Sequence, residues 1–89
     1  MISLTTLRFR KAYSTLPPHI QEQTRKNYRL WKEEPHHPSL QFKQVHNEKP
    51  IFSVRIGLSY RAVGLKEQDT MIWFWIGSHA DYDNLIAQL

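Results

Sequence analysis

Eighty-nine residues, 40% hydrophobic and 22% charged, suffice for one packed domain spanning residues 1–89 but not for two. The chain has no cysteine, which removes disulfides and thiolate zinc sites, and no apolar run long enough to span a bilayer. Arg8, Arg10 and Lys11 interrupt the first twenty residues, unlike a secretory leader, so the expectation is a cytoplasmic protein with no membrane partner.

The net charge of +4 is unevenly spread. Residues 1–34 hold seven Lys/Arg against three Glu, and residues 35–89 hold five of each sign. A basic surface of this kind suits a polyanion, either nucleic acid or an acidic protein; a merely solvated face is the plainer alternative.

In chain order, Phe9, Ala12, Tyr13 and Leu16 make one apolar stripe on a predicted helix over 5–16. Thr5 or Thr6 can cap it, and Pro17-Pro18 ends it. Pro18 can open a second helix reaching about Glu33, with Ile20, Thr24, Tyr28 and Trp31 inward and Arg25, Arg29 and Lys32 outward. Pro35-His36-His37-Pro38 breaks the helical pattern, and four strands are predicted beyond it. Leu40–Val45 alternates weakly. In Ile51–Gly57, Phe52, Val54 and Ile56 oppose Ser53 and Arg55. Ser59–Leu65 pairs back across Gly57-Leu58. Thr70–Ile76 is apolar on both faces and reads as a central strand, with Trp73 and Trp75 on one side. Ser78 can cap a last helix, with Asp81 three residues on. The fold class is α+β: an N-terminal helical hairpin packed on a four-stranded twisted antiparallel sheet, then a short C-terminal helix, with all helices on one face. A very short strand at the N-terminus is compatible with this order.

Arg55 and Arg61 stand out because arginine is uncommon inside a strand unless its face is wet or paired. Guanidinium groups can grip a phosphate bidentately and stabilise charge developing on it. The competing assignment is a structural ion pair with Asp69, Asp81 or Asp83. His79 falls in the first turn of the last helix, and imidazole is the side chain best suited to general acid–base work near neutrality. Tyr82 lies on that helix's apolar stripe, where it either fills core or presents a phenol to a base or phosphate. Trp73 and Trp75 either stack nucleobases or fill core. With the helices on one face of the sheet, the other is expected to be a concave surface presenting both guanidinium groups, and Lys43 and His46 border it. His36, His37 and His46 have no carboxylate or cysteine at ligand spacing, so no metal and no cofactor are expected.

Leu16-Pro17, His37-Pro38-Ser39-Leu40, Ser53-Val54-Arg55-Ile56-Gly57, Tyr60-Arg61-Ala62 and Ile76-Gly77-Ser78-His79-Ala80-Asp81-Tyr82-Asp83 occur in this order. Their order and spacing resemble the RelE/ParE superfamily of bacterial toxins, and more closely its HigB-like branch. The resemblance implies the toxin of a type II toxin–antitoxin pair. It also implies a metal-independent endoribonuclease that cuts ribosome-bound mRNA by attack of a ribose 2′-hydroxyl on the adjacent phosphate. Arg55 and Arg61 match the family's two strand arginines, His79 its basic position after the last strand's glycine, and Tyr82 its C-terminal aromatic. Lys43, His46 and Trp75 would then contact RNA. Arg25, Arg29 and Lys32 would meet a small, acidic, partly disordered antitoxin. The superfamily also admits two other readings: a non-enzymatic ParE-like toxin acting on DNA gyrase, and a decayed homologue that only holds its antitoxin. The charge-neutral sheet half, with Asp81 and Asp83 beside the site, departs from the most basic members.

Overall fold

The computed structural model describes residues 1–89, in which Thr6 ends a short strand and starts a helix. Its hydroxyl accepts a hydrogen bond from the Phe9 N–H at 3.1 Å, capping α1 (Leu7–Ser14) behind β1 (Ile2–Thr5). After Pro17, α2 (Pro18–Glu33) begins with Pro18 in its first turn, where a missing N–H costs nothing. The two helices are tied by Gln21, whose amide donates to the Tyr13 carbonyl at 3.1 Å, and by Tyr13 Oη, which donates to the Gln21 carbonyl at 3.3 Å. Thr24 and Trp31 are buried as expected. Tyr28 is not. It remains 36% exposed, stacked on Trp31 at 6.3 Å between ring centroids with Lys32 Nζ 5.5 Å from its own.

Five strands form the sheet, not four. The order is β1-β5-β4-β3-β2, with β2 (Lys43–Gln44), β3 (Ile51–Ile56), β4 (Tyr60–Glu67) and β5 (Thr70–Ser78) antiparallel in succession. β1 lies parallel to β5, pairing Ile2 with Thr70 and Thr5 with Trp73, so the sheet is mixed. Such a pairing has no local signature, because its partner lies most of the chain away. β2 is shorter than expected: Pro38–Leu40 forms a 3₁₀ turn, and Gln41 ends it in the left-handed region at φ 47°. Gly57 turns the β3–β4 hairpin at φ +60°, a conformation open to glycine at little cost.

The helices also divide between the two faces. The α1–α2 hairpin covers one face, around Trp31, Leu40, Val54, Ile56, Ala62, Met71, Trp73 and Ile76. The last helix, α3 (His79–Gln88), packs on the other through Tyr82, Leu85 and Ile86 against Ile51, Val63 and Trp75. A β-bulge also parts the two tryptophans of β5. Val63 pairs with Trp75 but Gly64 with Trp73, so Phe74 is an extra residue and the alternation of β5 slips there. Trp73 enters the hairpin core, whereas Trp75 and Phe74 join the α3 side. The expectation that both tryptophans share a face therefore fails at one residue.

Candidate functional site

The sheet face under α3 collects most of the polar residues singled out above. Arg55 and Arg61 are direct partners across β3 and β4, so their side chains leave the same face side by side. Gly77 of β5 completes that cross-strand row. α3 covers the neighbouring row containing Val63 and Trp75, and the arginine row lies next to it at the strand ends near the hairpin turn, partly exposed.

Each arginine is half-buried and held by uncharged partners. Arg55 Nε donates to the Gly57 carbonyl at 2.8 Å, and Arg61 Nη1 donates to Gln41 Oε1 at 3.2 Å. Neither bond goes to a carboxylate. Asp69 lies in the β4–β5 turn, at the opposite end of β4 from Arg61, roughly 20 Å along the strand at 3.3 Å per residue. Two like charges placed opposite one another disfavour folding, and an anion held between them would offset that cost.

His79 is the first residue of α3. Ser78 caps the helix by accepting from the Asp81 N–H at 3.2 Å, as its sequence predicts. The His79 N–H donates to the Ser59 carbonyl at 2.7 Å, which ties the start of α3 to the shoulder of the β3–β4 turn. Its exposed ring stacks on Tyr82 at 5.8 Å and 23° between planes. Tyr82 also carries Arg61, whose Cζ sits 5.8 Å from the ring centroid, and meets Trp75 at 6.4 Å. Tyr82 is thus the shelf on which the site is assembled. The phenol itself is buried, and its hydroxyl donates to Ser53 Oγ at 3.1 Å.

The Trp75 indole lies close over Gly77. A Cβ added there would fall 2.8 Å from its indole carbons, so only glycine lets the half-buried ring rest on the strand. Lys43 pairs with Ser53 and so borders the same face at its outer edge. His46 is elsewhere, in the β2–β3 loop at the far end of β3 from Arg55. Its Nδ1 accepts from the Glu48 and Lys49 N–H groups at 3.0 and 2.8 Å, while Nε2 lies 3.2 Å from the Leu89 carbonyl. That bonding makes His46 a clasp between loop and helix. Arg25, Arg29 and Lys32 are exposed on α2, on the opposite side of the sheet. Arg25 Nη1 donates to Tyr13 Oη at 2.6 Å.

Three residues of this region escape a reading of the sequence. Gln41 holds Arg61 from a left-handed backbone position, Ser53 anchors Tyr82, and Asn27 of α2 donates to the Arg55 carbonyl at 2.7 Å. Only Ser53 left a signal, as a polar residue within an apolar strand.

A family model described as a ParE-like toxin domain matches residues 18–84. Solved structures of similar fold include the RelB-RelE antitoxin–toxin complex from Methanococcus jannaschii, at 22% identity and a TM-score of 0.68, covering 92% of this chain and 96% of that one. The YoeB/ParE toxin from Agrobacterium tumefaciens is similar at 16% identity and TM-score 0.68, covering 89% and 99%. The isolated E. coli RelE toxin is similar at 14% identity and TM-score 0.67, covering 99% and 98%. No curated protein matches the sequence. With three quarters of its length matched by that family model, the chain belongs to the ParE-like toxin domain family, within the RelE/ParE superfamily of toxins.

Proposed function

We propose that this toxin belongs to a type II toxin–antitoxin pair and acts as a metal-independent endoribonuclease on mRNA, engaged with the ribosome. The observation carrying this reading is the arginine pair, set side by side and partly exposed on the α3 face of the sheet, with His79 and Arg61 sharing the Tyr82 ring. Arg55 and Arg61 grip the scissile phosphate and stabilise the added negative charge of its five-coordinate transition state. His79 takes the proton of the 2′-hydroxyl as that oxygen bonds to phosphorus. The P–O5′ bond breaks, and the 5′-oxygen leaves with a proton from solvent. The products are a 2′,3′-cyclic phosphate and a 5′-hydroxyl end. Tyr82 contributes its ring, and Trp75 and Lys43 flank the RNA path.

The partner surface is the exposed basic hairpin, and its occupant is a small acidic antitoxin encoded beside the toxin. The antitoxin–toxin complex among the similar structures supports an antitoxin as the partner, and the exposed charges of Arg25, Arg29 and Lys32 support the hairpin as its seat. Inducing the protein in a bacterium and mapping transcript 5′ ends tests the reading. New 5′-hydroxyl ends within coding regions are expected for the wild type and absent for Arg61→Lys. Growth arrest with intact mRNA and halted DNA replication would replace this reading with the gyrase-directed one.

A further inference from the structure

Leu58 is 87% exposed, more than any other large apolar residue in the chain. It occupies the tip of the β3–β4 turn, a position usually taken by Gly, Asn, Asp or Ser. Buried apolar area stabilises a fold, and Leu58 contributes almost none. A solitary surface leucine is commonplace. This one is set apart by the rigidity of the backbone that carries it.

The turn is braced from three sides. Arg55 Nε holds the Gly57 carbonyl at 2.8 Å, and the His79 N–H holds the Ser59 carbonyl at 2.7 Å. On the α2 side, Asn27 holds the Arg55 carbonyl at 2.7 Å, and Gly57 packs toward Gln23, whose amide donates to Asn27 at 2.7 Å. Two of the bracing residues, Arg55 through its guanidinium and His79 through its backbone N–H, also carry the side chains assigned to phosphate and proton. The apolar tip and the reactive groups are therefore one unit.

We infer that Leu58 is a wedge for single-stranded RNA, pressing against a nucleobase that flanks the scissile phosphate and unstacking it from its neighbour. The inference rests on the ribonuclease reading and assigns that site a substrate-distorting element. Attack by a 2′-hydroxyl requires that oxygen to align with the departing 5′-oxygen, and stacked A-form RNA does not hold it so. Splaying two bases apart releases the backbone to reach that geometry. Aliphatic side chains inserted between base steps do this work in other nucleic-acid complexes. Here the guanidinium pair anchors the phosphate while the leucine displaces the base.

The test uses the full chain and a short mRNA, free and in programmed ribosomes. The mRNA carries 2-aminopurine beside the cleavage site, with a 2′-deoxy residue there for the binding measurements. Wild-type protein should raise the 2-aminopurine fluorescence on binding, and Leu58→Ser should not. Cleavage by Leu58→Ser should fall about 10- to 100-fold, the scale of one lost base contact, and Leu58→Met should restore most of it. Unfolding midpoints should match, because the side chain buries little area. Wild-type rate and fluorescence in Leu58→Ser, with Arg61→Lys still inactive, would overturn the wedge and leave the ribonuclease standing. If the wild type cuts neither form of RNA, both readings fall. If Leu58→Ser instead loses only its grip on the antitoxin, the tip is a protein contact and the wedge is wrong.

Discussion

The Tyr82 hydroxyl donates to Ser53 Oγ at 3.1 Å inside the interface between α3 and the sheet, where Ser53 is fully buried. This bond fixes the ring that supports both His79 and Arg61 and engages the phenol that could otherwise move protons. Tyr82→Phe should therefore destabilise the fold by about 1–3 kcal/mol, the cost of leaving a buried hydroxyl unpaired. It should keep cleavage within a few-fold of wild type. Urea denaturation and a cleavage assay measure the two effects separately. Abolished cleavage in a folded Tyr82→Phe protein would assign the phenol a proton-transfer role.

A guanidinium is not a proton donor in catalysis at useful pH, so the part of Arg61 is electrostatic and geometric. Arg61→Lys keeps the charge but loses the planar fork, and the cleavage rate should drop about 10²–10³-fold. Single-turnover kinetics would show the loss in the chemical step. Near-wild-type rates would reduce Arg61 to a point charge.

His79→Gln keeps the helix start and the N–H bond to Ser59 while removing the titratable ring. The rate should fall about 10²–10⁴-fold with RNA binding nearly intact. One limb of the pH–rate profile should disappear. An unchanged profile would leave His79 as a helix-start residue only.

Gly77→Ala puts a methyl group where the Trp75 indole lies, with the nearest ring carbon 2.8 Å away. Overpacking of this kind costs about 1–3 kcal/mol, and the half-exposed ring can relieve part of it by tilting outward. Indole fluorescence should shift, and RNA affinity should weaken while chemistry in the bound state changes little. An unshifted spectrum with full affinity would show that the close seat of Trp75 on Gly77 is dispensable.

Arg25→Glu combined with Arg29→Glu reverses two exposed charges on the hairpin, across the sheet from the arginine pair. Antitoxin capture on co-expression should be lost, and RNA cleavage should persist. Loss of toxicity without loss of ribonuclease activity would instead mark the hairpin as the surface that meets the cellular target.

Local chemistry was enough to write much of this molecule in its sequence. Thr6 and Ser78 as caps, the Pro17-Pro18 break, the turn at Gly57 and the two-residue period of Ile51–Ile56 each depend on residues within a few positions of one another. The α+β class, the helical hairpin and the shared face of Arg55 and Arg61 follow from such short-range rules. Tertiary structure alone decided what depends on distant partners. β1 joins β5 in parallel because a free sheet edge is available there. The bulge at Phe74 separates Trp73 from Trp75 because two cores on opposite faces each take an indole. Gln41, Ser53 and Asn27 join the site only through hydrogen bonds spanning 20, 29 and 28 positions. A periodicity reports which face a side chain takes, but not which residue from elsewhere in the chain will meet it there.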